Sequence, residues 1–124
     1  MTNLESLRSL QKRIREAKGS DRALDADIAE AIGGWTSYPG DNWIGPRGQI
    51  CVPSFTLDPD GLGPCVALLE AVLPCRSWKR DYAGDIFIRG GYYARPLAND
   101  CLTFLDAIFS AAIAQEEAKE KADA

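Results

Sequence analysis

Aromatic rings and arginine side chains flank a glycine pair in the segment GDIFIRGGYYARP, residues 84–96. An aromatic ring stacks on a planar group, and a guanidinium group donates paired hydrogen bonds to a phosphate or a carboxylate. Two interpretations of the segment are open. It is a hairpin whose rings fill the core of the protein, or it is an open strand that presents rings and cations to a planar anion.

Two further segments combine aromatic and basic residues, Trp43 with Arg47 and Trp78 with Lys79 and Arg80. Side chains alternate between the two faces of a strand, so Trp78 and Arg80 are predicted to share one face. If one face of each strand packs against the core, the other offers rings and guanidinium groups to an anion. The predicted ligand-binding residues are Trp43, Arg47, Trp78, Lys79, Arg80, Arg89, Tyr92, Tyr93 and Arg95.

The start of segment 84–96 has an apolar face. Ile86 and Ile88 are two residues apart and are predicted to face the core, whereas Phe87 and Arg89 face away from it. Arg89 and the residues YYAR that follow the glycine pair are therefore expected to meet a ligand or a second subunit.

The residue types that are missing limit the chemistry. The chain contains no histidine, the commonest general base and metal ligand. It also lacks a Gly-x-Ser-x-Gly nucleophile motif, a Walker-type motif and a dinucleotide-binding glycine motif. The stretch DPDGLG has the acidic look of a calcium loop, but Leu69 stands where an EF-hand needs a bidentate glutamate. We therefore expect a non-enzymatic protein without a metal or a cofactor, and a paired-carboxylate hydrolase is the least favoured alternative.

Charge is distributed unevenly along the chain, whose net charge is −4 and whose pI is about 4.8. Residues 1–18 and 76–95 each carry a net charge of +3, whereas residues 19–75 carry −6 and residues 96–124 carry −4. Binding to duplex nucleic acid needs a basic face that releases counterions. Anion binding is therefore predicted in the two basic segments, and duplex nucleic acid is not expected as a partner.

Apolar run lengths and cysteine spacing indicate a cytoplasmic location. No apolar run approaches the roughly 20 residues that cross a bilayer, and the N-terminal segment lacks the apolar stretch of a signal peptide. A membrane partner is therefore not expected. Cys51, Cys65, Cys75 and Cys101 form no CxxC pair, and three of them lie within apolar runs. Reduced, buried thiols are predicted.

Hydrophobic periodicity predicts the elements that position these residues. Apolar residues recur at helical spacing in residues 1–18, 22–32 and 65–73, and again from Asn99 or Asp100 onward. The helix at 65–73 is apolar nearly all round and is predicted to be buried on several sides. The order of elements predicts an α+β domain over residues 1–117, with a short antiparallel or mixed β-sheet of four to five strands layered with about four helices. A charged tail follows at 118–124 and is expected to fray into solvent.

Three stretches of the chain carry a family resemblance. They are the opening ESLRSLQKRIREAKGSDRALDADIAEAIGG, the middle VPSFTLDPDGLGPCVALLEAVLP with the following RSWKRDY, and the end RPLANDCLTFLDAIFSAAI. In their Gly-x-Asp-Arg joint, Thr-x-Asp turn and proline-initiated last helix they resemble the phage ABA-sandwich domain family of small bacteriophage and prophage proteins. The resemblance implies an α/β/α layered fold and a phage or prophage gene, and it implies no catalytic residues.

Together these features predict a phage-type binding protein in the host cytoplasm. Its expected partner is a small anionic ligand, such as a cyclic nucleotide or a related signal of the host's antiviral defence, which it sequesters as phage sponge proteins do. The alternative is an accessory protein-interaction or structural factor that uses the same aromatic surface. A homo-oligomer is also expected, because the apolar helix and the aromatic strands offer more apolar surface than one small sheet covers.

Overall fold

The computed structural model describes residues 3–40, 42–58, 60–74 and 76–123. Within these residues it has four helices and five strands, which confirms the predicted α+β class. In chain order they are α1 (Asn3–Glu16), α2 (Arg22–Ile32), β1 (Thr36–Tyr38), β2 (Asn42–Ile44), α3 (Leu62–Val72), β3 (Trp78–Arg80), β4 (Ile86–Ile88), β5 (Tyr92–Ala94) and α4 (Asp100–Asp123).

The predicted single sheet of four to five strands is not confirmed. Among the described residues, β1 and β2 form a two-stranded antiparallel ribbon, and β3, β4 and β5 form a separate antiparallel sheet in chain order. Among the described residues between β2 and α3, the chain turns at residues 45–48 and forms no further strand. Pro46 and Pro53 lie in this connection, and proline has no N–H to extend a ladder.

Helix α4 is the centre of the core. Its residues 101–113 are buried on every side except at Ser110, which is half-buried. The predicted face of Leu102, Leu105, Phe109 and Ile113 is buried, as expected, but the remaining sides are buried too, because α1, α3, β4 and β5 all pack against this helix. Residues 118–123 were expected to fray, but they continue α4 as a helix.

Helices α1 and α4 run antiparallel and are joined by polar contacts as well as by apolar packing. Near one end Arg8 and Glu117 form an ion pair at 3.7 Å, and near the other Arg15 and Asp106 form one at 3.0 Å. Leu7, Leu10 and Ile14 form the buried stripe of α1, as helical spacing predicts. The two helices therefore hold together residues that are about 90 positions apart in the sequence.

Helix α2 is tied to the loop before α3 through a buried carboxylate. The side chain of Asp21 caps the helix by accepting a hydrogen bond from the Leu24 N–H at 3.0 Å. Asp25 is fully buried and accepts hydrogen bonds from the Thr56 N–H and hydroxyl at 2.9 and 2.8 Å. Arg22 pairs with Asp25 at 3.1 Å and also donates to the Val52 carbonyl at 2.9 Å, so it links α2 to the loop before α3.

Helix α3 is buried on one side only, which corrects the prediction for residues 65–73. Cys65, Leu68 and Leu69 are buried against the core, whereas Val66 and Ala67 are exposed. The reason is that α3 packs on α4 and touches α2, and no other described element covers its far side. Its apolar composition therefore leaves apolar surface in contact with solvent.

The cysteines are in part where the sequence predicts them. Cys65 and Cys101 are buried and reduced, but Cys51 is exposed, contrary to expectation, and Cys75 lies outside the described residues. A hydrogen bond with Cys101, together with burial, raises the pKa of the Cys65 thiol far above its usual range. Cys65 is therefore a protonated core side chain.

The inner face of the three-stranded sheet packs against α4. Ile86, Ile88 and Ala94 are buried there, which confirms the prediction that the two isoleucines face the core. The opposite face carries the exposed Lys79 and Tyr93, and within the described chain no helix covers it. The layers therefore differ at this point from the α/β/α arrangement that the family resemblance implies.

Within the part of the chain that the structure describes, none of the helices is both long and apolar enough to cross a membrane.

Candidate functional site

The outer face of the three-stranded sheet carries one row of aromatic and basic side chains. Lys79, Phe87 and Tyr93 are directly opposite one another on β3, β4 and β5. The rings of Phe87 and Tyr93 are stacked, with centroids 5.9 Å apart and planes inclined by 19°. The Lys79 ammonium lies 5.6 Å from the Phe87 ring centroid, within the range of a cation–π contact. Because side chains alternate between the two faces of a strand, this row lies on the face of the sheet away from the buried Ile86 and Ile88.

A concavity of about 520 Å³ opens at this row and at the turn between β4 and β5. We call it the ring concavity. The described residues that line it are Ser77, Trp78, Lys79, Phe87, Ile88, Arg89, Gly90, Gly91, Tyr92 and Tyr93. None of these is acidic, so its charged groups, Lys79 and Arg89, give it positive charge in a chain of net charge −4.

The turn that closes the ring concavity is built on glycine. Gly90 has a φ of 118° and Gly91 a φ of 94°, a region that side chains with a Cβ rarely adopt. Backbone groups hold the turn in place, because the Arg89 N–H donates to the Ser77 carbonyl at 2.9 Å. The Arg89 carbonyl accepts a hydrogen bond from Arg76 Nη1 at 3.3 Å. The Arg89 side chain itself makes no hydrogen bond or ion pair with a described residue, so its guanidinium group is available to a ligand.

Three of the predicted residues lie on the inner side of the sheet. Trp78 and Arg80 share a face, as alternation predicts, but it is the face of Ile86 and Ile88. The Trp78 ring lies against Phe104 of α4, with ring centroids 4.5 Å apart. Arg80 donates from Nε to the Asp100 carboxylate at 3.0 Å and does not line the ring concavity. Tyr92 is also on this side and is half-buried against the core.

The other predicted residues fall into two places. Arg95 lies in a neighbouring concavity of about 440 Å³, which is lined by Arg15, Tyr93, Ala94, Arg95, Leu97 and Asp106 and is called here the arginine concavity. Trp43 and Arg47 belong to the β1–β2 region, where Trp43 is half-buried and Arg47 lines a separate groove beside α3. Five of the predicted residues therefore line the ring concavity: Trp78, Lys79, Arg89, Tyr92 and Tyr93. Arg95 lines the neighbouring arginine concavity. The remaining three, Arg80, Trp43 and Arg47, line neither of these two concavities.

Among the residues at these concavities that the predicted set omits are a ring, Phe87, and a cation, Arg15. Phe87 is the ring beneath Tyr93, and its alternation with Ile86 and Ile88 is a signal that could have found it. Arg15 comes from α1, about 80 positions from Arg95. No spacing within the sequence pairs these two arginines, because only the packing of α1 on α4 brings them together.

The chemistry of the ring concavity is recognition by stacking and charge. Its ring faces suit a planar heterocycle, and its cations with the exposed turn suit a phosphate or a carboxylate. A volume of about 520 Å³ falls within the range of roughly 300 to 1,000 Å³ that is typical of small-molecule sites.

Comparison of the chain with protein-family models, with curated proteins and with solved structures found no match in any of the three. The resemblance to the phage ABA-sandwich domain family therefore stays a prediction that its sequence motifs carry.

Proposed function

We propose that the protein is a non-enzymatic, phage-type binding protein that sequesters a small anionic ligand, a nucleotide or cyclic nucleotide of the kind that serves as an antiviral signal. The base of the ligand stacks on the aromatic rings in the ring concavity. The observation that carries this proposal is the stacked Phe87–Tyr93 pair, which lies beside Lys79 in a concavity that Arg89 also lines, on a sheet face that no described helix covers.

Energetic considerations support a nucleotide over a simple anion. Stacking of one base on an aromatic side chain contributes about 1 to 3 kcal/mol. A charge-assisted hydrogen bond contributes about 1.5 to 3 kcal/mol. Each of these alone gives weak binding, and their sum requires a ligand that has both a ring and a negative charge. Nucleotides are the common cytoplasmic molecules with both.

The proposal of sequestration rests on the types of side chain that line the ring concavity. Ser77, Tyr92 and Tyr93 supply its side-chain hydroxyls, and no described residue in its lining is a carboxylate that would act as their base. The Lys79 amine in the lining lies over the Phe87 ring and forms no hydrogen bond with these hydroxyls. A nucleophilic hydroxyl needs such a base within hydrogen-bond reach. The bound nucleotide is therefore expected to be released unchanged.

A thermal-shift screen followed by calorimetry tests the proposal. The panel contains adenine and guanine mononucleotides, 3′,5′-cyclic nucleotides and cyclic dinucleotides, with the uncharged nucleosides and ribose 5-phosphate as controls for charge and ring. A ligand at one hundred times its dissociation constant stabilises the fold by about 2.7 kcal/mol. The nucleotides are expected to raise the melting temperature, and both controls to raise it less. Chromatography of the ligand after denaturation is expected to return it intact.

A matched pair of variants locates the site. Tyr93→Ala removes the exposed ring of the stacked pair, and Tyr82→Ala removes a fully exposed tyrosine of the β3–β4 loop that lines neither concavity. Tyr93→Ala is expected to weaken nucleotide binding by about 1 to 3 kcal/mol, and Tyr82→Ala is expected to leave it unchanged. The proposal fails if no nucleotide binds or if both variants bind as the wild type does.

We also propose that copies of the chain self-associate through the β1–β2 ribbon. Tyr38 and Ile44 are exposed on the ribbon, and Ile50, in the connection that follows β2, is 83% exposed. A two-stranded ribbon is marginally stable by itself, and pairing with a second copy adds strands to it. Sedimentation velocity at micromolar concentration is expected to give a mass above 13.5 kDa for the wild type. The expected value for Ile50→Asp is the monomer mass, and a monomeric wild type contradicts the proposal.

A further inference from the structure

The arginine concavity shares the Tyr93 side chain with the ring concavity. Tyr93 is followed by Ala94, which is buried against α4, and by Arg95, which is exposed. Two residues of extended chain span about 7 Å, and alternation puts their side chains on the same side. An anion at Arg95 therefore lies one side chain away from a base that is stacked on Tyr93.

Arg15 reaches the same concavity from α1, and a buried carboxylate holds it there. Asp106, whose side chain is only 8% exposed, accepts from Arg15 Nε at 3.0 Å and from Gln11 Nε2 at 2.9 Å, both at Oδ1. Gln11 is itself buried and donates to Ser110 Oγ at 2.9 Å. The guanidinium of Arg15 is thus fixed through its Nε edge while the side chain stays 55% exposed.

The outward edges of both arginines lack protein partners. Neither Nη of Arg15, nor any nitrogen of the Arg95 side chain, forms a hydrogen bond or an ion pair with a described residue. A guanidinium group that is held at Nε still offers its two Nη groups as a fork for phosphate oxygens. The lining contains two positive charges, Arg15 and Arg95, and one negative charge, Asp106, so its net charge is positive. The Oδ1 atom of Asp106 accepts hydrogen bonds from protein donors.

The two concavities together place cations on both sides of one ring platform. Lys79 and Arg89 line the ring concavity, and Arg15 and Arg95 line the arginine concavity beyond Tyr93. A nucleoside 5′-monophosphate carries phosphate on one side of its nucleoside. Each nucleoside of a cyclic dinucleotide, and the first nucleoside of a 5′-phosphorylated linear dinucleotide, carries a phosphate at both its 5′ and its 3′ position. We infer that the arginine concavity is a second phosphate subsite and that the ligand class is a dinucleotide, linear or cyclic. This inference rests on the proposed function of the ring concavity.

Calorimetry with three adenine ligands tests the inference: adenosine 5′-monophosphate, the linear dinucleotide 5′-phosphoadenylyl-adenosine and cyclic di-adenosine monophosphate. At least one dinucleotide is expected to bind the wild type roughly tenfold or more tightly than the mononucleotide, which is the factor that one further charge-assisted contact supplies. Equal affinity for all three ligands overturns the inference.

The variant Arg95→Gln keeps an unbranched polar side chain and removes a charge that has no described protein partner. It is expected to weaken the preferred dinucleotide roughly tenfold and to leave mononucleotide binding within about twofold of the wild type. Lys12→Gln is the matched control, because Lys12 is an exposed cation of α1 that lines neither concavity, and it is expected to change neither affinity. Arg15→Lys, which keeps the charge but loses the fork, is expected to weaken the dinucleotide selectively as well.

Failure of this inference is distinguishable from failure of the proposed function. If the mononucleotide binds and depends on Tyr93, but Arg95→Gln leaves the ratio of the two affinities unchanged, the ring concavity stands and the second subsite is wrong. If Arg95→Gln weakens both ligands equally, Arg95 acts only through the general electrostatic field, and the subsite is again wrong. If neither nucleotide binds the wild type, both proposals fail.

Discussion

Phe87 and Tyr93 are cross-strand partners on β4 and β5, and their stacked rings face away from the helices that form the core. Cross-strand aromatic pairs contribute roughly 0.2 to 1 kcal/mol to a sheet. A ring pair on an uncovered face contributes less to stability than one in the core, because the outer ring is still accessible to water. The arrangement therefore separates binding from folding, and the effects of substitutions at neighbouring positions should separate in the same way.

Arg89→Ala is expected to reduce nucleotide binding without reducing stability. The lost charge-assisted hydrogen bond is worth about 1.5 to 3 kcal/mol of binding free energy. The melting temperature should change little, since the side chain is exposed and has no described partner. Calorimetry and thermal melting on the same sample give both quantities. A loss of stability in proportion to the loss of binding would contradict an open binding face.

Tyr92→Ala is expected to lower stability more than Tyr93→Ala does, although the two residues are adjacent. Tyr92 is on the inner face, opposite Ile88, and is half-buried against the core. Truncation of a large, partly buried side chain should lower the free energy of unfolding by roughly 1 to 3 kcal/mol, somewhat less than for a fully buried aromatic residue. Urea denaturation of Tyr92→Ala and Tyr93→Ala side by side measures the difference. Equal losses for the two variants would show that the assigned faces are wrong.

Gly90→Ala is expected to destabilise the turn that closes the ring concavity. A φ of 118° costs a residue with a Cβ about 1 to 3 kcal/mol, and the new Cβ would lie 2.9 Å from Arg76 Nη1. Gly19→Ala in the joint between α1 and α2 is the control, because nothing lies within 4 Å of a Cβ at Gly19, its φ is not positive, and such a change stabilises by about 0.4 to 1 kcal/mol. Denaturant unfolding is expected to give shifts of opposite sign for the two variants, and a stabilising Gly90→Ala would contradict the turn geometry.

Asp25 predicts a specific dependence of stability on pH. Burial raises the pKa of its carboxyl above the usual value of 3.8, although the hydrogen bonds from Thr56 and the charge of Arg22 oppose the rise. The folded protein therefore keeps this proton at pH values at which the unfolded chain has released it. As the pH rises through the raised pKa, this contribution to stability is lost, and as the pH falls toward the unfolded value it is regained.

The measurement compares the unfolding free energies of the wild type and Asp25→Asn at several values between pH ~4 and pH ~7. The stability of the wild type relative to the variant is expected to increase as the pH falls. Asp27→Asn, which changes an exposed aspartate of the same helix, is the control. A relative stability that decreases as the pH falls would show that Arg22 and Thr56 outweigh burial.

The features that the sequence predicts correctly are local ones. The helical stripes of α1 and α4 and the inward direction of Ile86 and Ile88 each follow from residues within a few positions of one another. Periodicity is a property of short segments, so a single sequence is enough to indicate it.

The features that the sequence does not predict depend on contacts between distant segments. The pairing of Arg80 with Asp100 and the arrival of Arg15 beside Arg95 both depend on where α4 packs. The division of the strands into two sheets likewise depends on which strands pair with each other. Hydrophobic periodicity within a segment does not predict strand pairing. The exposed side of α3 shows the same limit, since an apolar helix is buried only as far as neighbouring elements cover it.

The packing of α1 on α4 has a consequence for the order in which the two concavities form. Residues paired in the three-stranded sheet are at most 10 positions apart, so closing its ladders costs little chain entropy. Contacts between α1 and α4 close loops of more than 90 residues, which form slowly in folding. The ring concavity can therefore arise early from a local meander. The arginine concavity is complete only when both helices have docked, so local unfolding of α1 would remove Arg15 while leaving the stacked rings in place.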